Sequence, residues 1–98
     1  MTDTPSVRNN RDAGRYELDA DGVLCVAAYE RRADALAFTH TMVPPELEGR
    51  GLASRLVKGA LADVRAQGLK VIPLCAFVRA YIQRHPEEQD LLAATAPG

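Results

Sequence analysis

Between residues 15 and 43 the apolar positions recur at every second residue or in short runs; after residue 52 they recur at every third or fourth. The first spacing belongs to strands and the second to helices. RYEL (15–18) puts Tyr16 and Leu18 on one side of a first strand. DADG (19–22) follows, with Asp21-Gly22 as the expected hairpin pair. VLCVAAYE (23–30) reads as the second strand, β-branched at Val23 and Val26, and ERRAD (30–34) as a polar turn. In ALAFTHTMV (35–43) strict alternation places Leu36, Phe38, His40 and Met42 on one face, and Ala37, Thr39, Thr41 and Val43 on the other. Pro44-Pro45 ends this third strand, because proline cannot donate to a ladder.

From Leu52 the positions Leu56, Val57, Ala60, Leu61 and Val64 trace one face of a helix, and Gly68 is a suitable residue to stop it. KVIPLC (70–75) is nearly all apolar, as in a strand covered on both faces, with Pro73 marking an edge, a bulge or an early end to pairing. AFVRAYIQRH (76–85) is helical again. Pro86 opens a last short helix with acids in its first turn, where they suit the helix dipole. The order is β-β-β-α-β-α-α. A strand, helix and strand across residues 35–75 form a crossover unit, which is parallel. The expected fold is therefore α/β: a mixed sheet of three antiparallel strands plus a fourth, parallel to the third.

MTDTPSVRNNRDA (1–13) is polar and is expected to be a disordered tail, which leaves residues 14–95 as one compact domain. A net charge of −1 argues against a general nucleic-acid binder. No apolar run approaches the ~18 residues of a membrane span, and no signal peptide is evident. The two cysteines, Cys25 and Cys75, are expected to be free thiols of a cytoplasmic protein.

The stretch that asks for an explanation is ELEGRGLAS (46–54), a glycine turn at the mouth of a helix. A helix N-terminus carries unpaired N–H groups and partial positive charge. Glycines there let an anion approach the backbone without a Cβ in the way. Residues 48–54 thus look like a phosphate cradle, with Arg50 as an added charge. The P-loop pattern needs Gly-Lys-Ser/Thr to close the loop, and the first lysine here is Lys58, inside the helix. The dinucleotide pattern needs a third glycine where Ser54 stands.

Glu48-Gly49-Arg50-Gly51-Leu52-Ala53 instead resembles the Q/R-x-x-G-x-G/A signature of the GCN5-related N-acetyltransferases. Gly51 and Ala53 match its last two fixed positions, and Glu48 departs at the first. The wider pattern is similar to the very small single-domain members of that family over residues 15–92: His40-Thr41-Met42-Val43-Pro44, then Gly68 to Cys75, then Phe77-Val78, Tyr81-Ile82 and His85-Pro86.

The resemblance implies a minimal GCN5-related fold with acetyl-CoA as co-substrate, an amine as acceptor and no metal. Glu48, Gly49, Arg50, Gly51, Leu52, Ala53 and Ser54 would hold the cofactor's pyrophosphate. Met42 and Val43 would line one side of a slot for its pantetheine arm, with Leu74 and Cys75 on the other. Three side chains are candidates for chemistry. His40 suits a general base, since its ordinary pKa lies close to neutral. Cys75 would lie at the slot as nucleophile, acid or packing. Tyr81 corresponds to a helix tyrosine that protonates the departing thiolate in many members. The short chain after Pro86 leaves the acceptor side open for a small amine, a peptide or protein amine, or a site completed by a partner protein or second copy. The other reading is a non-catalytic module of the same fold that binds or senses acyl-CoA.

Overall fold

A computed structural model describes residues 7–20, 22–47 and 49–93. Five strands, β1 (Val7–Asn10), β2 (Arg15–Ala20), β3 (Val23–Arg32), β4 (Ala35–Met42) and β5 (Lys70–Pro73), form one sheet in the order of the chain. The first four pair antiparallel, and β5 runs parallel to β4 after the crossover helix α1 (Leu52–Ala66). The second helix, α2 (Ala76–Arg84), follows β5, and a 3₁₀ helix, Pro86–Leu91, closes the described chain.

The mixed sheet and parallel crossover are those expected, with one strand more at the amino end. Residues 7–10, read from sequence as part of a disordered tail, pair with β2 from Val7↔Leu18 to Asn10↔Arg15. Residues 1–6 of that expected tail and the domain's expected last residues, 94 and 95, lie outside the described residues. VRNN forms a strand because its neighbours satisfy its polar groups. The Tyr29 hydroxyl donates to Asn9 Oδ1, while Arg8 and the Asn10 amide both bind the Glu17 carboxylate. Arg15 donates a third bond to Glu17 from its own strand. Glu17 is thus only 3 % exposed yet fully partnered, the condition for burying a charge.

Cross-strand partners share a face of the sheet. Tyr16 and Leu18 oppose Ala27 and Cys25, and the Tyr16 hydroxyl donates to Asp63 of α1 over 2.6 Å. This is therefore the helix side. Leu56, Val57, Ala60, Leu61 and Val64 of α1 join it in one buried cluster together with Val78, Tyr81 and Ile82 of α2. Both helices lie on that face. The periodicity read from Leu52 onward is the buried stripe of α1.

The ends of α1 follow from glycines at positive φ. Gly68 (φ 72) closes it, its N–H bonding to Arg65 and that of Leu69 to Val64, the double bond of a Schellman stop. Among the described residues no helix is long and apolar enough to cross a membrane.

Candidate functional site

β4 leads into α1 through Val43-Pro44, a 3₁₀ turn at Pro45–Leu47 and the glycine turn. Leu47 is buried and pins the turn to the core. Gly49 (φ 84) and Gly51 (φ 72) both take the left-handed conformation that penalises a side chain. Gly51 is the N-cap of α1, and its carbonyl accepts the first helical bond, from Arg55 at 3.1 Å. A glycine N-cap offers no side chain to the amides that follow, and the first turn contains no acid. The N–H groups of Leu52, Ala53 and Ser54 have no partner within the helix by its geometry. Among the described residues, chain neighbours aside, no atom lies within 4 Å of where a Cβ on Gly49 or Gly51 would stand, so the space before these amides is open.

That space is a cavity of about 230 Å³ lined by Val43, Gly49, Gly51, Leu52, Ala53 and Ser54, with Leu47 and Phe77 completing it. Six of the residues proposed from sequence for cofactor binding are therefore brought together. Arg50 is exposed on the turn beside them. Glu48 lies outside the described residues. Phe77 was legible only as an apolar position on the second helix; its place at the cavity comes from the packing of α2 beside α1.

The slot expected beside the cradle has a definite origin. β5 pairs with β4 only from Ala35↔Lys70 to Phe38↔Pro73. Pro73 has no N–H to carry the ladder on, and the chain turns away through Leu74, whose N–H bonds back to Ile72. One further link, from the Cys75 N–H to the Phe38 carbonyl at 2.8 Å, marks where the strands part. Beyond it β4 runs on to Met42 without β5 beside it. Met42 and Leu74, on the two sides of the gap, are 54 % and 50 % exposed, unusual for large apolar side chains.

The alternation read along β4 breaks in the middle. Ala28 opposes His40, but its neighbour Tyr29 opposes Phe38, so Thr39 is an extra residue in β4. A bulge of this kind reverses the side-chain phase beyond it. Leu36 and Phe38 face the helices. His40 and Met42, read from sequence as sharing their face, pair with Ala28 and Val26 and point to the opposite side. Thr41, opposite Ala27, points to the helix side instead. The Thr39 hydroxyl donates to the Ala28 carbonyl at 3.3 Å and helps satisfy the irregular ladder.

This reversal creates a contact invisible in the sequence: Thr41 Oγ1 lies 3.4 Å from Cys75 Sγ. Cys75 is the N-cap of α2, in an extended conformation (φ −77, ψ 130) and 8 % exposed. Burial pushes its thiol up, but the Thr41 hydroxyl and the first-turn amides of Val78 and Phe77 pull it down further, and the balance lies below the ordinary thiol value. At Cys25 burial, with the Asp19 charge adding, pushes the thiol up.

His40 is exposed on the far face of β4 and does not meet Cys75. Tyr81 lies in the core on α2, its ring stacked on His85 at 3.9 Å between centroids, and it does not line the cavity at Gly51. Burial, with Glu88 and Glu87 adding, pushes its phenol up and keeps it protonated. His85 Nδ1 donates to the Tyr81 carbonyl over 2.7 Å, a C-terminal cap on α2.

A family model described as GCN5-related N-acetyl-transferase matches residues 15–91. Protein NATD1 of Gallus gallus and of Mus musculus are each 38 % identical to the chain over 52 residues, 53 % of this chain and 47 % of theirs. The chain thus matches about half the length of these curated relatives. The solution structure of a GCN5-like protein from Staphylococcus aureus superposes with a TM-score of 0.71, covering 98 % of this chain and 95 % of that one at 20 % identity. At that identity the likeness speaks for the fold.

Proposed function

From the premise that the chain belongs to the GCN5-related N-acetyltransferase family, we propose that it transfers an acetyl group from acetyl-CoA to an amine. The observation that carries the reading is the parting of β4 and β5 beside an open glycine turn at the mouth of α1. The amides of Leu52, Ala53 and Ser54, backed by the helix dipole, suit a pyrophosphate. Gly49 and Gly51 leave the room for it, and Arg50 adds positive charge at the rim. Val43 and Phe77 offer apolar surface to the pantetheine arm, and the free edge of β4 through Thr41, Met42 and Val43 offers it backbone hydrogen-bonding groups.

Three tasks then fall to the chain: to fix the thioester, to take a proton from the ammonium, and to return one to the departing thiolate. His40 is the base in this reading, placed at the slot's edge on the sheet face without helices. Cys75, on the helix side of the slot, is placed to act at the sulfur end. Tyr81 remains a candidate acid only if the core opens at α2, since its ring is held under His85. The acceptor is a small amine, a peptide or a protein amine, reaching an edge that a partner protein or second copy would complete. Two free, buried cysteines suit a reducing compartment, and the reading places the protein in the cytoplasm.

Calorimetric titration with acetyl-CoA, CoA and 3′-dephospho-CoA, followed by mass spectrometry of an amine panel, tests this. Binding in the micromolar range with acetylated product is the expected result. Binding without turnover on any amine would move the assignment to an acyl-CoA-binding module. No binding at millimolar ligand would reduce the glycine turn to a helix start.

A further inference from the structure

We infer that Thr41 is a positioning residue for Cys75: turned into the β4–β5 slot by the bulge at Thr39, its hydroxyl fixes the Cys75 sulfur against the first turn of α2. The inference deepens the acyl-transfer reading of this slot, yet it concerns a contact the protein makes by itself.

Both ends of the Cys75 backbone are already held. Its N–H bonds to the Phe38 carbonyl at 2.8 Å, and its carbonyl accepts from Arg79 at 3.0 Å. What remains free is rotation about the Cα–Cβ bond. Thr41 Oγ1 at 3.4 Å from Sγ removes that freedom from the sheet side, while the amides of Phe77 and Val78 favour the ionised sulfur from the helix side. Thr41 is itself stiff, because a β-branched side chain in a strand has few rotamers. Had β4 kept strict alternation, this hydroxyl would point to the opposite face and Cys75 would meet His40's side of the strand.

Among the described residues, the charged side chains of His40, Arg79 and Arg55 on the surrounding elements are directed elsewhere. His40 of β4 is on the other face. Arg79 of α2 turns its guanidinium to the Leu74 carbonyl at 3.5 Å, and Arg55 in the first turn of α1 is exposed. The sulfur is tuned by hydroxyl and amide dipoles rather than by an ion pair, so loss of one dipole has a measurable effect. The functional consequence is a thiol held in one orientation at the slot with a raised thiolate fraction, the form that reacts.

The test is a pH titration of the Cys75 Cβ resonance by NMR on ¹³C-labelled protein without any ligand, in the parent, Thr41→Val and Thr41→Ser chains. The near-isosteric Thr41→Val change is expected to raise the Cys75 midpoint by about half a unit to one unit, the worth of one hydrogen bond. Thr41→Ser, which keeps the hydroxyl, is expected to return it close to the parent. An unchanged midpoint in Thr41→Val, or a Thr41→Ser midpoint as high as that of valine, overturns the inference. If valine disturbs the fold, Thr41→Ala replaces it with the same criteria. Because no acetyl-CoA is present, failure of cofactor binding and failure of this contact are read separately.

Discussion

Val7 of β1 packs directly onto Gly59 of α1: a Cβ built on Gly59 would stand 2.6 Å from Val7 Cγ2 and 2.7 Å from its Cβ. Glycine inside a helix costs about 1 kcal/mol relative to alanine. Here that cost lets the edge strand seat against the helix. The clash involves the Val7 Cβ, which moves only with the backbone of β1. Gly59→Ala is therefore expected to destabilise the protein by about 1–3 kcal/mol despite its better helix propensity. In a Val7→Gly background the sign should reverse, with alanine stabilising by about 0.5–1 kcal/mol. Urea unfolding of the four chains checks this, and a stabilising Gly59→Ala in the parent would show that β1 does not need the close approach.

The same pair explains what the sequence conceals. The stripe from Leu52 to Val64, the antiparallel pairing of β2 with β3 and the crossover to Lys70–Pro73 each carry their own period or turn signal, and all are legible; Asp21 of the expected hairpin pair lies outside the described residues. VRNN has no such signal. It becomes a strand through Glu17 on the adjacent strand and through Tyr29 and Gly59, which are distant in sequence. At the site, the cradle was legible because glycine and helix pattern adjoin. The orientation of β4 beyond Phe38 was not, because a single inserted residue, Thr39, reverses every later side chain, and nothing in the alternation of FTHTM (38–42) marks it.

Glu17 gives the fold an acid limit. Hydrogen bonds from Arg15 and Asn10, with the charges of Arg15 and Arg8, hold its carboxyl below the ordinary glutamate range against the opposing effect of burial. A depressed folded value means that its contribution is present above the unfolded value of about 4.3 and is lost as pH falls through the lower folded value. Stability should therefore decline as the solution is acidified below about pH 4.3, with β1 loosening first. Glu17→Gln is expected to flatten that decline while lowering stability at neutral pH by about 1–3 kcal/mol. Thermal melts across the acid range decide it: an unchanged acid slope in Glu17→Gln would place the sensitivity at other carboxylates.

Gly51 separates the conformational from the ligand-facing role of the turn. Its φ of 72 would strain alanine by about 1–2 kcal/mol, although among the described residues no atom beyond its chain neighbours obstructs the new Cβ. Asparagine tolerates this conformation better and so keeps the turn. Gly51→Asn is expected to stay within about 1 kcal/mol of the parent in stability. Its side chain would occupy the space before the amides of α1 and should weaken acetyl-CoA binding by at least about tenfold. Calorimetry on the folded variant reads the second effect apart from the first. Parent-like affinity in Gly51→Asn would mean that phosphate does not approach the backbone there.

His40 and Cys75 flank the slot on opposite faces of β4, with the bulge between Phe38 and His40 setting them apart. A histidine that activates a cysteine must reach it within hydrogen-bonding distance. These two point away from each other, so they cannot form a nucleophile–base pair without rebuilding the strand. Alkylation of Cys75 by iodoacetamide, followed by site-resolved mass spectrometry, tests this without any need for turnover. His40→Gln is expected to leave the rate within about twofold of the parent at each pH, whereas loss of an activating base would lower it by about tenfold or more near neutrality. Where an acceptor amine is found, His40→Gln should lower kcat by roughly 10²–10⁴-fold while leaving acetyl-CoA affinity unchanged, as expected for a base that acts only on the amine. The double variant with Cys75→Ala should then show additive losses, because residues that act at separate points combine independently. A Cys75 alkylation rate that collapses in His40→Gln would instead mean that β4 straightens in solution and returns the histidine to the helix side.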